Sequence, residues 1–321
     1  MRILSGIQPS GQLHLGNFFG MMKRMVEYQT SHELFCFVVN YHALTTQHDG
    51  ALLKRLTWEA VLDFLALGLD PDQSTFWIQS DLPEVTELTW ILSNHTPFGL
   101  LERSHSYKDK VSQGIKPSHG LFSYPVLMTA DILMMQAERI PVGKDQKQHV
   151  EIAQDIAEKF NHQYGSIFVR PEPDIEDSVS IIPGLDGRKM SKSYDNTIEI
   201  FGTQEQLKQK VMGIKTDSTP VNDPKPTTGN PLYEIYRLFL SPGEQQKLKE
   251  RFEGSGLKYG EVKKELIDVI WTYFAPYRKK RDELSKDPDK IRRILKQGKE
   301  KAKAQADITI ARVREVVGLT Y

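Results

Sequence analysis

The feature that most constrains the fold of this 321-residue chain is an alternation of short apolar runs with amphipathic stretches over about its first 180 residues. Apolar side chains recur at helical spacing between the runs, as at Leu53, Leu56, Ala60 and Phe64. Such an alternation predicts an α/β domain, with crossover helices connecting the strands of a parallel sheet. The runs that predict buried strands are RILSGI (2–7), LFCFVV (34–39), TFWIQ (75–79) and RIPVG (139–143).

The pattern changes near residue 186. From Gln204 onward strand-like runs are scarce and helical patterns dominate, interrupted by the proline-rich segment 216–231. The sequence therefore predicts an α/β domain over 1–186 followed by a mainly helical domain over 187–304.

Composition excludes several classes of protein. The single cysteine, Cys36, rules out an internal disulfide framework and any multi-cysteine zinc or iron–sulfur site, and its apolar strand predicts an inert thiol. No run approaches the roughly 18 to 20 apolar residues of a membrane span. The N-terminal MRILSGIQPSG turns before a signal-peptide stretch develops. We therefore expect a cytoplasmic protein that does not bind a membrane.

The formal net charge of zero conceals an uneven distribution, because residues 241–321 carry 20 basic and 13 acidic side chains. The densest basic stretch is 277–303, with 12 basic against 5 acidic residues. Such a stretch is commonly a solvated helical face, but it also suits a surface that binds phosphates through counterion release. Composition leaves both interpretations open.

Segment 9–17, PSGQLHLGN, lies between the first predicted strand and a helix expected to begin near Phe18. Glycines allow a ligand to approach the backbone closely, and the N–H groups at a helix start favour an anion. His14 and Asn17 could both reach a nucleotide from here. Taken alone, the segment could equally be a glycine-rich turn and helix cap.

Segment 187–193, GRKMSKS, places Arg188, Lys189 and Lys192 within five residues of one another, together with two serine hydroxyls. Ammonium donors on a loop suit a polyphosphate, because they stabilise the charge that develops on its leaving group. A solvated basic loop is the alternative for this segment in isolation.

The two segments together resemble class I aminoacyl-tRNA synthetases. His-Leu-Gly-Asn is similar to their His-Ile-Gly-His signature, with Asn17 in place of the last histidine, and Lys-Met-Ser-Lys-Ser matches their second signature letter for letter. Nucleotidyltransferases of cofactor synthesis resemble the first motif but usually lack the complete second one.

Three further segments resemble the tryptophanyl-tRNA synthetase family: SGIQPSG (5–11), YPVLMTADILM (124–134) and GKDQKQH (143–149). The resemblance implies a Rossmann-like catalytic domain and an all-helical anticodon-binding domain, with a last helix, about 305–321, that packs back on the catalytic domain. It also implies a homodimeric tryptophan–tRNA ligase that forms tryptophanyl-adenylate from L-tryptophan and ATP and then charges tRNA(Trp).

Tyr124, Met128 and Asp131 fall on one face of a predicted helix, since they are spaced by four and three residues. By resemblance Asp131 accepts the indole N–H, although the residue pattern alone would also fit a helix cap or an ion pair. The resemblance further implies that Tyr124 and Gln146 hold the α-amino and carboxylate groups, while Met128, Val142 and His42 line the indole. His42 could instead be a structural histidine.

The resemblance also implies the ATP contacts. We expect catalytic roles for His14, Asn17, Lys189 and Lys192, and for Lys108 and Lys110, which resemble the family's mobile-loop lysines. A plain solvated loop is the alternative for Lys108 and Lys110. Mg²⁺ would be held mainly by the ATP phosphates, without a protein metal site. Gly184 and Gly187 are candidate hinges, and only the backbone of Lys144 is expected to contact the nucleotide. The expected ATP-binding residues are Gln8, Pro9, Ser10, Gly16, Asn17, Gly143, Lys144, Asp145, Ile182, Lys189, Met190, Ser191, Lys192 and Ser193.

Two competing functions remain open on these grounds. A tyrosine-specific synthetase shares both signatures and the fold, so only the amino-acid pocket separates the two specificities. A non-catalytic RNA-binding relative is the second alternative, and the intact His14, Lys189 and Lys192 argue against it.

Overall fold

A computed structural model describes residues 1–104, 114, 116, 118–175 and 182–321. Its sheet has five parallel strands in the order β3-β2-β1-β4-β5. The four predicted strands are confirmed, and the short fifth strand pairs with β4 at the sheet edge. The strands are β1 (Arg2–Ile7), β2 (Glu33–Val38), β3 (Ser74–Ile78), β4 (Arg139–Pro141) and β5 (Glu172–Asp174).

The described residues fall into two compact units. The first comprises 1–11, 25–175 and 284–321 and contains the sheet, and the second comprises 12–24 and 182–283 and is mainly helical. The helices are α1 (Leu15–Asn17), continued by a π-helical turn (Phe18–Met22) into α2 (Lys23–Tyr28), then α3 (Asn40–Ala43), α4 (Gly50–Ala66), α5 (Glu84–Ser93), α6 (Phe98–Glu102), α7 (His119–Met134), α8 (Lys147–Tyr164), α9 (Gln204–Met212), α10 (Pro231–Tyr236), α11 (Pro242–Glu253), α12 (Tyr259–Tyr273), α13 (Ala275–Ser285) and α14 (Pro288–Val316).

The last helix, α14, packs directly on strand β3. At the crossing, a Cβ added to Gly298 would lie 1.7 Å from the carbonyl oxygen of Phe76, far inside van der Waals contact. The backbones can therefore approach this closely only because residue 298 has no side chain. Ala302, Ala306, Ile310 and Val313 continue the buried face of the helix into the core of the first unit.

Two ion pairs join α14 to α5. The Arg314 guanidinium donates to both carboxylate oxygens of Glu87, at 2.7 and 2.5 Å, and Lys303 pairs with Glu84. Hydrogen bonding from Arg314 lowers the pKa of Glu87. Since these side chains are partly exposed, the pairs orient the helix while the apolar face supplies most of the stabilisation.

An aromatic cluster anchors the segment after the first signature within the second unit. The Phe18 ring lies 5.1 Å from that of Phe274 and 5.9 Å from that of Tyr277, both in edge-to-face geometry. Tyr273 and Phe239 extend the cluster, with their ring centroids 5.2 Å apart. Among the described residues, no helix combines the length and apolarity needed to cross a membrane.

Candidate active site

In the first unit, polar residues follow the carboxyl ends of neighbouring parallel strands. Gln8 and Ser10 follow β1, His42 lies in α3 just after β2, and Gln79 follows β3. Val142 and Gly143 come directly after β4. Open parallel sheets bind their ligands outside these ends, at the point where the strand order reverses, which here lies between β1 and β4. Gln8, Ser10, His42, Val142 and Gly143, which the sequence singled out, therefore lie at the carboxyl edge of the sheet.

Asp131 lies at the centre of a hydrogen-bonded network in this unit. It is only 6% exposed on the inner face of α7, and His42 Nε2 lies 3.0 Å from its Oδ2. The side-chain amide of Gln79 donates to Oδ1 at 3.0 Å and to Oδ2 at 2.8 Å. Asp131 and His42, predicted to share the pocket, are therefore in direct contact.

Burial raises the pKa of Asp131, and the hydrogen bonds from His42 and Gln79 oppose that rise. A buried carboxylate stays ionised only where donors replace its lost hydration. The arrangement produces an acceptor group in an apolar environment, which is suited to a ligand N–H or O–H donor.

A second network connects Tyr124 to Gln146. The Tyr124 hydroxyl lies 2.7 Å from His149 Nε2, and His149 Nδ1 lies 2.6 Å from Gln146 Oε1. His149 is 2% exposed and occupies the first turn of α8. Two residues predicted to hold the amino and carboxylate groups are thereby oriented through one buried imidazole.

Met128 and Val142 are partly buried and pack against the hydrophobic core of the first unit. Gly143 and Lys144 are exposed just after β4, at the start of the 3₁₀ turn Lys144–Gln146. Gln8 and Ser10 are also exposed, whereas Pro9 is buried. The side chain of Asp145 and the whole of Lys108 and Lys110 lie outside the described residues.

In the second unit the first signature segment pairs through its backbone with residues 198–200, which follow the second signature, and it also contacts Met190 of that signature. Leu15 N–H donates to the Ile198 carbonyl, and Ile200 N–H donates to the Leu13 carbonyl, each at 3.0 Å. The Gly16 N–H donates to Met190 Sδ at 3.3 Å. A Cβ at Gly16 would lie 2.9 Å from His14 Nδ1, so glycine allows this close approach.

The helical segment begins at Leu15, earlier than the expected start near Phe18, because His14 ends the extended stretch with φ −122° and ψ 168°. Asn17 Oδ1 accepts from the His14 backbone N–H at 3.1 Å. Asn17 therefore has a structural role in the turn, in addition to the ligand contact that the sequence predicts.

His14 is buried, 6% exposed, and its Nδ1 has no hydrogen-bond partner within the described chain. Burial, together with the charge of Lys192, lowers the pKa of His14 to about 4. At neutral pH the imidazole is therefore uncharged. A neutral ring with an unsatisfied nitrogen can donate or accept a hydrogen bond without a fixed positive charge.

The loop that carries the second signature is stabilised by Asn196. This residue is 2% exposed; its Nδ2 donates to Asp186 Oδ1 at 2.7 Å and to the Lys189 carbonyl at 3.1 Å, while its Oδ1 accepts from Ser191 N–H at 2.8 Å. The Asn196 bond, with help from Arg188, lowers the pKa of Asp186 to about 2.

The signature side chains then divide between the surface and the interior. Met190 and Ile182 are buried and joined by a backbone hydrogen bond of 2.8 Å. Lys189, Lys192 and Ser193 are exposed and Ser191 is half-buried. Both lysines therefore face solvent, while hydrogen bonds with Asn196 and Ile182 fix the backbone of the loop.

The match to known proteins agrees with this geometry. Residues 1–275 match the model of the family described as tRNA synthetases class I (W and Y). The chain belongs to this family. A Tryptophan–tRNA ligase of Fusobacterium nucleatum is 52% identical over 319 residues, covering 99% of this chain and 98% of that protein.

Solved structures of the family give the same result. The tryptophanyl-tRNA synthetase of Campylobacter jejuni, complexed with ADP and tryptophan, superposes with a TM-score of 0.93 at 49% identity, covering 99% of this chain and 100% of that one. A tyrosyl-tRNA synthetase of Archaeoglobus fulgidus has a TM-score of 0.67 at 20% identity, covering 87% and 89% of the two chains, and shares the fold alone.

Three buried residues of these networks were not predicted from the sequence: Gln79, His149 and Asn196. Gln79 ends the predicted strand TFWIQ, but β3 stops at Ile78 and Gln79 begins a 3₁₀ turn. A polar residue directly after a buried strand was the available signal for it. For His149 the signal was its position three residues after Gln146, on the same face of the chain as it enters a helix.

Proposed function

We propose that this chain is a tryptophan–tRNA ligase. The tryptophan carboxylate attacks the α-phosphorus of ATP, so that a new O–P bond forms and pyrophosphate leaves. A ribose hydroxyl of the 3′-terminal adenosine of tRNA(Trp) then attacks the activated carbonyl and AMP leaves. The observation that carries the proposal is the contact between the two signature segments, the Gly16 N–H to Met190 Sδ bond.

Asp131 is the proposed acceptor of the indole N–H. Its burial and its contacts with His42 and Gln79 support this role, because the carboxylate is already desolvated and held in place. Phenylalanine would leave that acceptor without a donor, and a tyrosine ring would fill less of an indole-shaped space. Met128 and Val142 supply apolar contacts to the ring.

Tyr124 and Gln146 are the proposed contacts of the α-ammonium and α-carboxylate groups. Because His149 Nδ1 faces Gln146 Oε1, the amide nitrogen of Gln146 is directed away from the imidazole. That nitrogen is a donor and suits a carboxylate oxygen. Positioning both substrate groups fixes the direction in which the carboxylate attacks ATP.

The ATP site is assigned to the residues implied by the two signatures and the loop after β4. His14 and the Nδ2 of Asn17 would donate to phosphate oxygens. Because His14 is neutral, the positive charge that faces the phosphates would come from the lysines. Lys189 and Lys192 would stabilise the charge that develops on the leaving pyrophosphate. Lys108 and Lys110 are proposed to add to this charge. Bending at Gly184 or at Gly187, whose φ is +85°, would let the loop close over the nucleotide.

Backbone and side-chain contacts to the adenosine part are proposed for Gln8, Pro9, Ser10, Gly16, Gly143, Lys144, Asp145 and Ile182. The loop residues Met190, Ser191 and Ser193 complete the proposed phosphate site. Within the described part of the chain, no three histidine, cysteine or carboxylate side chains are grouped to hold a metal. A Mg²⁺ ion is proposed to be held mainly by the ATP phosphates.

The tRNA surface is assigned to the basic stretch 277–303. Along α14 the side chains of Lys290, Arg293, Lys296 and Lys299 are exposed, while Ile291 and Leu295 are buried in the core. Cations on one solvent-facing side can meet a run of phosphates. The helical residues 187–304 are proposed to include the anticodon-binding region.

A homodimer is proposed from an exposed apolar surface on the first unit. Trp90 is 72% exposed, Phe98 66% and Leu44 50%. Leu44 and residues of α5 and α7 surround a cavity of about 300 Å³, and the Phe98 ring lies 4.8 Å from that of Phe122 on α7. Such a patch is expected to be covered by a second copy.

The decisive experiment is ATP–pyrophosphate exchange with tryptophan, tyrosine and phenylalanine in parallel. We expect exchange with tryptophan alone. Exchange with tyrosine would preserve the reaction and overturn the pocket assignment. Silence with all three amino acids would contradict the proposed activity and favour a non-catalytic RNA-binding role.

A further inference from the structure

Gln79 is 1% exposed and connects the first turn of α3 to Asp131. Its Oε1 accepts from the backbone N–H groups of Tyr41, at 2.9 Å, and His42, at 3.4 Å. Its Nε2 donates to both oxygens of Asp131, at 3.0 and 2.8 Å. The amide is thus fully engaged on both sides.

The orientation of this amide is chemically fixed. A backbone N–H can only donate, so the Gln79 atom that faces the two amides of α3 must be the oxygen. The NH₂ group then has to face Asp131. Because that group can only donate, the carboxyl group opposite it must present acceptors.

The distribution of donors over the two carboxylate oxygens is uneven. Among the described residues, Oδ2 faces both His42 Nε2 and Gln79 Nε2, whereas Oδ1 faces Gln79 Nε2 alone. Since a carboxylate oxygen can accept two hydrogen bonds, Oδ1 retains more acceptor capacity. It is the oxygen better suited to an N–H from a bound ligand.

We infer that Gln79 is a positioning residue for amino-acid selectivity: it holds Asp131 as an acceptor-only carboxylate, so that the site requires a ring N–H and rejects isosteres without one. The inference rests on the proposed tryptophan-ligase function. It adds a residue outside both signatures and outside the set that resemblance implies. The ligand class it selects is an aromatic amino acid whose ring carries a hydrogen-bond donor.

The test compares Gln79→Met, which keeps the volume and removes the donor, with Gln79→Glu. Exchange kinetics are measured from pH 5.5 to 9 with tryptophan and with 3-benzothienyl-alanine, in which sulfur replaces the indole N–H. Ser80→Ala is the matched control, because Ser80 bonds Asn40 of the same α3 turn at 2.8 Å without touching Asp131. Circular dichroism and melting temperature establish that each variant is folded.

For Gln79→Met we expect kcat/KM for tryptophan to fall about 10- to 100-fold, mainly through KM. The benzothienyl analogue should change less than about threefold, so the preference for tryptophan shrinks. Loss of a donor to the charged form favours protonation of Asp131, so the defect should deepen as pH falls and diminish as pH rises.

Gln79→Glu should show the opposite pH dependence. At low pH the introduced carboxyl group is protonated, and it can donate to Asp131 and accept from the α3 amides as the native amide does. As pH rises the two facing carboxylates repel each other, and tryptophan affinity should fall. The neighbouring groups are His42, which touches Asp131, and Tyr124, whose ring lies 6.1 Å from that of His42; both are unchanged in the wild type, in the two Gln79 variants and in the control.

Opposite pH dependences in the two variants support the inference. Equal, pH-independent losses, or an unchanged preference over the benzothienyl analogue, would overturn it. If one variant fails to fold, the direction in which kcat/KM for tryptophan changes with pH in the other variant decides. An Asp131→Asn variant distinguishes failure of the inference from failure of the proposed function. If the wild type exchanges with tryptophan and Asp131→Asn loses selectivity while the Gln79 variants keep it, only the inference fails. If the wild type shows no exchange with tryptophan, the proposed function itself is refuted.

Discussion

The Gly16 backbone N–H donates to the sulfur of Met190 across 3.3 Å, joining residues that are 174 positions apart in the chain. The same approach places the buried, uncharged His14 under the influence of Lys192, whose charge contributes to lowering the His14 pKa to about 4. His14 and Lys192 are therefore electrostatically coupled, so removal of the Lys192 charge should raise the pKa of His14.

Lys192→Ala should reduce tryptophan-dependent pyrophosphate exchange by about 100-fold or more, because it removes the cation proposed to stabilise the leaving pyrophosphate. Tryptophan affinity, measured by equilibrium dialysis, should change less than about twofold. Lys208→Ala, which removes another exposed lysine of the same unit, is the control. An equal loss of tryptophan affinity in Lys192→Ala would contradict the assignment of this lysine to pyrophosphate.

His14 should make stability depend on pH. The pKa of His14 in the folded state is about 4, below the ordinary 6.5. Above pH 6.5 the side chain is therefore neutral in both the folded and the unfolded chain, and its burial costs no deprotonation. The unfolded chain binds the extra proton first, so stability is lost as pH falls from 6.5 towards 4, by about 3 kcal/mol at most. Urea unfolding of wild type and His14→Gln should diverge over this range. If the exposed His48→Gln variant changes the profile equally, the explanation is wrong.

Gly298→Ala should destabilise the first unit by more than about 3 kcal/mol, because the new methyl group would meet the Phe76 carbonyl. Gly260→Ala is the matched control, since nothing lies within 4 Å of a Cβ at that helical position. Thermal unfolding should show a large fall in Tm for the first variant and little change for the second. Similar Tm values would mean that α14 does not pack closely on β3.

Removal of positive charge from α14 should weaken tRNA binding and make that binding less dependent on salt concentration. The double change Arg293→Gln and Lys296→Gln should reduce the slope of log Kd against log salt by about one to two counterions. Pyrophosphate exchange should be unaffected. Lys54→Gln, an exposed lysine of α4, serves as the control. An unchanged slope in the double variant would move the tRNA surface elsewhere.

The sequence predicted the sheet well where strands are apolar and failed where they are not. Four buried runs were recognised, since their period and β-branched or aromatic content are local properties. β5, Glu172–Asp174, contains two acidic residues and a proline, and it becomes a strand only because β4 supplies its hydrogen-bond partners. The strand order likewise depends on pairing between distant segments.

The site divides in the same way. The spacing of Tyr124, Met128 and Asp131 predicted a shared helical face, and the α7 helix has all three. The local signals for Gln79 and His149, a position directly after a strand and a position three residues after Gln146, are weak because many polar residues share them. Their roles arise from Asp131, 52 residues away, and from Tyr124, 25 residues away.

What the sequence determined by itself was the α/β alternation, the two signature segments and the family to which they point, because each is carried by residues within one short window. The tertiary structure decided the sheet order, the pairing of 13–15 with 198–200, and the donors that surround Asp131. These are long-range hydrogen bonds, and they form only when packing has excluded water from both partners. Chemistry at the site therefore rests on residues whose importance is set by their neighbours in space.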